Sequence, residues 1–316
     1  MAFLIRRLLL TLPILFIVSV ICFSMINLIP GDPATVILGP EATEQAKEQM
    51  RNRLNLNEPI SVQYFDWLRG VLRGDLGESL IDDTPVSQLI LERLPVTIEL
   101  AVGTFAVSLT IAVIAGILSA SRRGTWVDYL STGVALGGIS IPHFWLGMMF
   151  IIIFAVNLGW LPASGYEPFF QNPAANITAM ILPILATGLR ESAELTRMLR
   201  SSLLEELGSD YVRTAFSKGL SKRIVVIRHA VRNALIPFVT ASGLQIAGLL
   251  GGLVVTETVF QLPGLGRLVV DSIEQRDFTT VQGAVLTITI IVVLVNVLVD
   301  VLYTIIDPRI SVNSGE

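Results

Sequence analysis

Long uncharged apolar runs alternate with polar segments along the chain. A helix needs about 20 apolar residues to cross the hydrocarbon core of a bilayer, so runs of that length predict membrane spans. Six spans are predicted, and the fourth is the least regular because Arg190, Glu191 and Glu194 interrupt it. The predicted ranges are 8–29, 100–120, a span within 129–161, 177 to the mid-190s, 234–256 and 281–305.

The third apolar run is too long to cross the membrane as one straight helix. At about 1.5 Å per residue, residues 129–161 exceed the thickness of a bilayer. Gly137, Gly138 and Pro142 predict a break, since glycine loosens a helix and proline removes a backbone donor. Pro142 and the adjacent His143 are candidate pathway-lining residues. Alternatively, His143 forms a hydrogen bond to a backbone carbonyl freed at the break.

Lys and Arg residues are concentrated in alternate connections between the predicted spans. The positive-inside rule assigns the connections rich in these residues to the cytoplasm. Both termini and residues 196–233 are therefore predicted to be cytoplasmic, and residues 31–95 are placed outside by the parity of the spans. The cytoplasmic cations are Arg6, Arg7, Arg122, Arg123, Arg190, Arg197, Arg200, Arg213, Lys218, Lys222, Arg223, Arg228, Arg232 and Arg309.

Composition supports an integral membrane protein. Of 316 residues, 52% are hydrophobic and 15% are charged, and the mean hydropathy of +0.69 is too high for a soluble domain of this size. The formal net charge of -4 gives no general basic character for binding nucleic acid. With no internal repeat or long linker in the sequence, we predict an all-α protein with one transmembrane domain over residues 1–316.

Motifs for catalysis and metal binding are missing from the sequence. There is no Gly-x-x-x-x-Gly-Lys-Ser/Thr phosphate loop, so the chain is not expected to hydrolyse ATP itself. There is no His-Glu-x-x-His zinc motif and no Gly-x-Ser-x-Gly elbow, and the two histidines are His143 and His229. We predict no catalytic residue, no metal site and no cofactor bound by this chain.

Two short amphipathic helices are predicted in the outer segment. Apolar residues recur there at intervals of three or four, which gives each helix one apolar stripe. The helices are interpreted either as a platform for an extracytoplasmic partner or as a cover over the spans. The stripes are Ala46, Met50 and Leu54 in the first helix and Phe65, Leu68 and Leu72 in the second.

The fifth and sixth predicted spans supply further candidate pathway-lining residues. Gly248 and Gly252 are four apart, which permits close packing of helices or leaves room for a solute beside the helix. Gln245 offers a hydrogen bond either to a solute or to a neighbouring helix. Asn296 lies four residues before Asp300, so the two share one face of the sixth helix. The candidates here are therefore Gln245, Gly248, Gly252 and Asn296.

The polar connection before the fifth span contains Tyr-Val-Arg-Thr-Ala-Phe-Ser-Lys-Gly at 211–219. A short helix that ends in a turn at Gly219 is predicted there, with the glycine in a left-handed conformation. Other short motifs occur in order along the chain. They are Ile-Pro-Gly-Asp-Pro at 29–33, Arg-Gly-Asp-Leu-Gly at 73–77, Glu-Arg-Leu-Pro at 92–95, Pro-Gly-Leu-Gly at 263–266 and Asp-Pro-Arg at 307–309.

This ordered set of motifs resembles the permeases of binding-protein-dependent ABC transporters, in the form found in peptide, nickel and opine importers. The general permease loop has Glu-Ala-Ala and then, after three intervening residues, glycine. Here Arg213, Thr214 and Ala215 occupy the first three places, and Gly219 is retained. The departure resembles the pattern of the peptide and nickel subgroup.

The resemblance implies a type I importer fold of six transmembrane helices in a prokaryotic plasma membrane. It implies a second, homologous permease subunit, so that each permease forms half of one translocation pathway. Two cytoplasmic ABC ATPase subunits with ATP and Mg would dock on the inner loops, and an extracytoplasmic solute-binding protein would deliver the solute. Dipeptides and oligopeptides lead as substrates, followed by nickel chelates, opines and oligosaccharides. The ATPase-coupling residues would be Tyr211, Arg213, Thr214, Ala215, Lys218 and Gly219.

A secondary transporter or channel that works without ATPase subunits is the alternative that six spans also permit. Such proteins usually carry buried charge or internal symmetry for coupling. A membrane enzyme is disfavoured because no pair of nucleophile and base stands out at membrane depth. Co-purification with ATPase subunits would separate the importer from both alternatives.

Overall fold

The computed structural model describes residues 2–27 and 31–306, and this part of the chain is almost entirely helical. It contains no strand, and its one isolated β-bridge joins Glu78 and Pro85. The all-α prediction is therefore confirmed for the described residues. The helices are α1 (Ala2–Asn27), α2 (Pro33–Leu38), α3 (Glu44–Arg53), α4 (Ile60–Val71), α5 (Val86–Ser121), α6 (Trp126–Ser140), α7 (His143–Phe150), α8 (Pro173–Leu207), α9 (Asp210–Ser217), α10 (Lys222–Ile224), α11 (Val231–Val259), α12 (Leu265–Glu274) and α13 (Phe278–Ile306). A π-helical segment, Ile151–Asn157, continues α7, and another, Val225–Ala230, joins α10 to α11.

The candidate membrane spans are fewer than the six predicted from the sequence. Within the described residues, four helical stretches are long and apolar enough to cross a membrane, namely Leu10–Asn27, Val86–Ser121, Lys222–Ile246 and Phe278–Val299. α6 and the stretch His143–Asn157, which comprises α7 and its π-helical continuation, qualify together as a fifth candidate span with a bend of 104°. The predicted range from 177 to the mid-190s lies in α8, which is not among these candidates because its charged residues interrupt the apolar run. The count of six spans therefore stays a prediction.

The break predicted in the third apolar run is confirmed at Pro142. α6 ends at Ser140, and Pro142 is the N-cap residue from which α7 begins. Gly137 and Gly138, however, lie inside α6, so their predicted part in the break is wrong. A glycine is tolerated in a helix where a neighbour approaches closely, and a Cβ at Gly138 would lie 3.3 Å from the side chain of Ala193.

Several predicted boundaries differ from the ends of the helices. α1 ends at Asn27, and residues 28–30, which hold the end of the first predicted span and part of the motif at 29–33, lie outside the described residues. α5 begins at Val86, whereas the predicted span begins at residue 100, and it contains Pro95. The helix extends beyond the apolar run into a stretch that includes charged residues, which a search for apolar runs leaves out. The motif at 307–309 and the C-terminus also lie outside the described residues.

The chain separates into two compact units. Among the described residues, the first comprises those up to Thr97 together with Pro263–Leu294, and the second comprises Ile98–Leu262 with residues 295–306. The assignment of one transmembrane domain to residues 1–316 stays a prediction.

Asp277 holds the loop after α4 to the start of α13 in the first unit. Its side chain is buried and accepts hydrogen bonds from Ser79 Oγ at 2.7 Å, from the backbone N of Leu80 at 3.1 Å and from Thr280 Oγ1 at 2.7 Å. A buried carboxylate is costly unless it is hydrogen-bonded, and these donors satisfy it. The outer segment is thereby tied to a helix far away in the sequence.

α3 forms as predicted, and both of its ends are fixed. Thr43 caps its N-terminus, where Oγ1 accepts a hydrogen bond from the backbone N of Ala46 at 3.3 Å. At its other end Arg51 pairs with Asp32, the N-cap residue of α2, at 2.9 Å. The Arg51 guanidinium lowers the pKa of the Asp32 carboxyl to about 2. This ion pair joins α2 to α3.

α4 also forms as predicted, and two residues of its predicted apolar stripe are exposed, so its interpretation as a platform for a partner stays a prediction. Phe65 is 65% exposed and Leu72 is 79% exposed. The inward face is instead formed by Tyr64 and Trp67, whose rings lie 5.3 Å and 5.8 Å from the ring of Phe23 in α1. Aromatic rings bury large apolar areas and attract one another, which favours packing of Tyr64 and Trp67 against Phe23.

α8 is the central helix of the second unit and packs against α6, α7 and α11. α5 also approaches it closely, since a Cβ at Gly116 would lie 3.0 Å from the side chain of Leu199. The core of this unit draws buried residues from α5, α8, α9 and the segment that leads into α11. They include Ala112, Ala120, Leu195, Leu199, Leu203, Val212, Ala215, Val225, Val226, Ala230, Val231, Ala234 and Phe238.

Candidate functional site

α9 is a short amphipathic helix that contains most of the predicted coupling residues. Ser209 precedes it in an extended conformation as the N-cap residue. Asp210 in its first turn interacts favourably with the positive end of the helix dipole. Val212 and Ala215, three residues apart, are buried on one face and join the core of the second unit. The opposite face of α9 is exposed to solvent.

Gly219 ends the α9 turn in a left-handed conformation, with φ of 80°, which confirms the prediction. Its backbone N donates to the carbonyl of Phe216 at 2.9 Å, and the backbone N of Leu220 donates to the carbonyl of Ala215 at 3.4 Å. This pair of bonds is a Schellman motif, and glycine suits it because no Cβ clashes there. Leu220 packs against the same apolar cluster as Ala215, so the turn also fixes the direction of the chain leaving α9.

The exposed face of α9 carries Arg213, Thr214 and Lys218, together with Phe216, which sequence reasoning missed. Phe216 is 43% exposed, and an exposed aromatic beside cations is typical of a protein interface. Ala215 does not lie on this face, because it is only 7% exposed and packs inside the chain. It is therefore an anchor of α9, and the expectation that it faces an ATPase is corrected.

Tyr211 attaches α9 to its two neighbouring helices through polar contacts. Its hydroxyl donates to Glu206 Oε2 of α8 at 2.5 Å and accepts a hydrogen bond from Asn233 Nδ2 of α11 at 3.1 Å. Partial burial raises the pKa of the Tyr211 phenol, and the hydrogen bond to the Glu206 carboxylate raises it further. The hydroxyl therefore remains a donor at neutral pH, and α9 is held by polar as well as apolar contacts.

A cavity of about 570 Å³ opens among α7, α8 and α11. Four of the six predicted pathway-lining residues meet on its wall, namely His143, Gln245, Gly248 and Gly252. α8 supplies Thr187, Arg190, Glu191, Glu194, Leu195 and Met198 to the same wall. The structure thus brings these residues together, and their part in transport stays a prediction.

Gln245 is fixed at the cavity wall through both ends of its amide. Nε2 donates to the backbone carbonyl of Glu191 at 2.7 Å and to its carboxylate at 2.9 Å, while Oε1 accepts a hydrogen bond from Ser108 Oγ at 3.2 Å. Glu191 also pairs with Arg190 at 2.5 Å. Of the two roles considered for Gln245, the structure shows the bond to neighbouring helices.

Gly248 and Gly252 border open space. A Cβ at either position would meet no atom within 4 Å, so their spacing does not serve a close helix contact within the second unit. The imidazole Nε2 of His143 is buried and has no hydrogen-bond partner among the described residues, so it does not bond to a carbonyl freed at the break. Among the described residues, the cavity wall therefore has an open glycine surface and one buried polar atom without a hydrogen-bond partner.

Two predicted pathway residues lie apart from the cavity. Pro142 is exposed and begins α7 without lining the wall. Asn296 lies in α13, is partly exposed and is also absent from the wall. The side chain of Asp300, predicted to share its face, lies outside the described part of the chain.

A buried ion pair that sequence reasoning missed holds α8 in place. Arg200 donates from Nε to Asp128 Oδ1 at 2.8 Å and from Nη2 to Asp128 Oδ2 at 3.0 Å. Asp128 also accepts hydrogen bonds from Ser119 Oγ at 2.5 Å and from the backbone N of Gly124 at 3.0 Å. The Asp128 side chain is 5% exposed. These bonds join the end of α5, the start of α6 and α8, which supplies one wall of the cavity. The one sequence signal for this ion pair was the single carboxylate of Asp128 at the start of the third apolar run.

Several apolar helices, a broken helix beside a cavity and a short exposed helix together define a polytopic membrane protein of the transport class. The family described as "Binding-protein-dependent transport system inner membrane component" matches residues 112–312, and the N-terminal membrane component of the same systems matches residues 1–101. The chain belongs to this family. It is the permease subunit of an ABC importer, which confirms the resemblance carried by the motifs.

Similar proteins support the family over nearly the whole chain. A putative peptide transport system permease of Brucella suis is 44% identical over 309 residues, covering 98% of each chain. The dipeptide permease DppB of Alkalihalophilus pseudofirmus is 43% identical over 98% of this chain and 99% of that protein, and the glutathione permease GsiC of Escherichia coli is 42% identical over 98% of each. An inward-facing structure of the MetNI methionine ABC transporter covers 70% of this chain and 97% of its own, with a TM-score of 0.58 and 17% identity. That likeness is one of fold.

Proposed function

We propose that this chain forms one half of the translocation pathway of an ATP-driven peptide importer. The substrate class is supported by relatives whose names refer to peptide, dipeptide and glutathione transport. The cavity of about 570 Å³, with polar groups on its wall, has the size of a small-solute site. The solute passes along the side of the cavity formed by Gly248 and Gly252 of α11.

The observation that carries this proposal is the exposed, glycine-capped helix α9. Val212 and Ala215 anchor it to the core of the second unit, and its cations and Phe216 are exposed on the opposite face of the helix. Two cytoplasmic ABC ATPases, which hold ATP and Mg, dock on this helix and its counterpart in a second, homologous permease. An extracytoplasmic binding protein delivers the peptide. This permease performs no catalysis, and ATP is hydrolysed by the ATPase subunits.

The proposed topology is a single transmembrane domain with six spans in a prokaryotic plasma membrane. The first part of α8 is the fourth span, and its charged residues lie near the cytoplasmic boundary, where they pair or meet water. Both termini and residues 196–233 face the cytoplasm, and residues 31–95 face outward. The excess of Lys and Arg between the fourth and fifth spans supports this orientation.

Reconstitution tests the proposed function. In proteoliposomes, this chain alone is expected neither to hydrolyse ATP nor to import peptide, because it forms half of a pathway and has no phosphate loop. Both activities are expected when the second permease, the ATPase subunits and the binding protein are added. Peptide uptake by this chain alone, driven by an ion gradient, would instead support the secondary transporter.

Thiol labelling in intact cells tests the topology. Ser61 in α4 and Ser217 at the end of α9 are both exposed, and the one native cysteine, Cys22, is buried and is replaced by alanine in the background. An impermeant maleimide is expected to label S61C and to leave S217C unlabelled until the cells are lysed. Labelling of S217C in intact cells would overturn the proposed orientation.

A leucine at Gly248 is expected to reduce peptide uptake severalfold. The position borders open space, so the new side chain projects into the cavity without displacing a packed neighbour. The matched control is Gly133→Leu, since Gly133 is also helical, has nothing within 4 Å of its Cβ position and does not line the cavity. Uptake of labelled dipeptide at equal expression is the measurement. Equal uptake by the two variants would show that the cavity is not part of the translocation pathway.

A further inference from the structure

We propose that a basic cleft beside α9 binds the phosphate headgroup of an anionic phospholipid. The cleft has a volume of about 590 Å³. It shares no residue with the cavity among α7, α8 and α11. Its lining residues are Tyr211, Arg228, His229, Arg232, Asn233 and Ile236.

The first reason is that two arginines in the cleft lack a counter-ion. Arg228 and Arg232 have no carboxylate oxygen within 4.0 Å in the described part of the chain, whereas Arg190 and Arg200 on α8 each pair with an acid. Both unpaired arginines are exposed, and in the proposed topology they lie at the cytoplasmic end of the helix that leads into the fifth span. The cytoplasmic leaflet carries a negative surface potential that attracts cations next to a span, so an anionic headgroup is favoured as the missing counter-ion.

The second reason is the order of chemical groups along the helix. Arg232 and Ile236 are four residues apart in α11 and share a face, with Ile236 one turn further into the span. Ile236 is 43% exposed. A phospholipid presents the same order, with its phosphate at the interface and its acyl chains at greater depth.

Neutral donors complete the headgroup site. The amide of Asn233 donates one hydrogen bond to the Tyr211 hydroxyl at 3.1 Å, which leaves its second N–H for a phosphate oxygen. The Tyr211 hydroxyl donates to Glu206 at 2.5 Å. Glu206 is not among the lining residues, and one of its carboxylate oxygens accepts that bond. The cleft itself therefore presents cations and donors.

The third reason is the direction in which the cleft faces. At about 100° per residue, Arg232 and Ile236 lie on the side of α11 opposite to Gln245 and Gly248. The cleft therefore faces away from the cavity assigned to the solute. An acidic side chain of an ATPase is the other conceivable anion, but the exposed Ile236 deeper in the span favours a lipid.

Native mass spectrometry of the complete transporter tests the proposal. The detergent-purified complex is titrated with dioleoylphosphatidylglycerol, with zwitterionic dioleoylphosphatidylcholine and with soluble glycerol 3-phosphate. The cleft variant is R228Q/R232Q. Its matched control, K222Q/R223Q, removes the same charge from exposed positions outside the lining. A second variant, R228K/R232K, keeps the charge and shows that the fold is intact.

We expect the cleft variant to bind phosphatidylglycerol about 30-fold more weakly, at about fivefold for each arginine near an anionic surface. The control and the lysine variant are expected to bind nearly as the wild type does, and glycerol 3-phosphate is expected not to displace the lipid. Equal losses in the cleft and control variants would reduce the effect to general charge and overturn the proposal. Displacement of the lipid by glycerol 3-phosphate would also overturn the proposal and would assign the cleft to a soluble anion. Unchanged lipid binding by the cleft variant, with loss of ATPase subunits, would overturn it as well and would assign the cleft to the ATPase. Lipid binding is read directly, so the result does not depend on peptide uptake.

Discussion

A valine at position 219 is expected to leave the chain inserted in the membrane while detaching its ATPase partners or uncoupling ATP hydrolysis from uptake. Gly219 has φ of 80°, and this conformation costs a residue with a Cβ about 1–2 kcal/mol. The strain falls on the Schellman turn, so α9 loses its orientation. The candidate span that follows begins at Lys222 and is unchanged. The measurements are membrane insertion, co-purification of ATPase subunits and the ATP hydrolysed for each peptide imported.

The matched control for this variant is Gly219→Asn. Asparagine enters the left-handed region more readily than other residues with a side chain, and Asn55 already adopts it in this chain with φ of 52°. We therefore expect the asparagine variant to retain most ATPase binding and coupling. Normal assembly and transport by the valine variant would show that α9 is not the docking element.

Asp128→Ala is expected to lower the free energy of unfolding by about 3 kcal/mol, because it leaves Arg200 without its buried partner. The loss also frees Ser119 and the backbone N of Gly124, which both donate to Asp128. The amount of folded permease recovered from membranes is expected to fall as the free energy of unfolding falls. Thermal unfolding in detergent, followed by the monodisperse fraction after heating, is the measurement.

Two further variants separate this ion pair from a general charge effect. Asp210→Ala removes an acid of the same type that lies 3.7 Å from Arg213 on the surface, where both side chains are largely exposed, and is expected to change stability little. The double variant D128L/R200M replaces the pair by apolar groups and is expected to recover much of the stability lost in D128A. If D128A proves as mild as D210A, the pair does not hold α8 in place.

The features that the sequence predicts well depend on neighbouring residues. The turn after α9 follows from one glycine at the end of a short helix, and the break before α7 follows from the missing donor of Pro142. Long apolar runs also indicate where helices can cross a membrane, because the requirement is one of length and composition. Even so, α8 shows a limit of this approach, since its charges conceal whether it spans.

The features that the sequence did not predict depend on which residues meet in space. Ala215 falls inside the chain because α9 packs by the face that contains Val212, and periodicity alone does not decide which partner that face meets. In α4, likewise, Tyr64 and Trp67 face α1, whereas Phe65 and Leu72 of the predicted apolar stripe are exposed. The bond between Asp277 and Ser79 joins residues 198 positions apart, and no local pattern contains that information.

The shared core beneath α9 has a mechanical consequence. Val212 and Ala215 belong to the same close-packed cluster as Leu199 in α8 and Val226 at the start of the α11 segment. A packed interior has low compressibility, so a push on α9 displaces these helices together and is not absorbed locally. The same two helices form walls of the cavity among α7, α8 and α11. If ATPases dock on α9 as proposed, the second unit is expected to transmit a displacement of α9 as one stiff body to Gln245, Gly248 and the middle of α8.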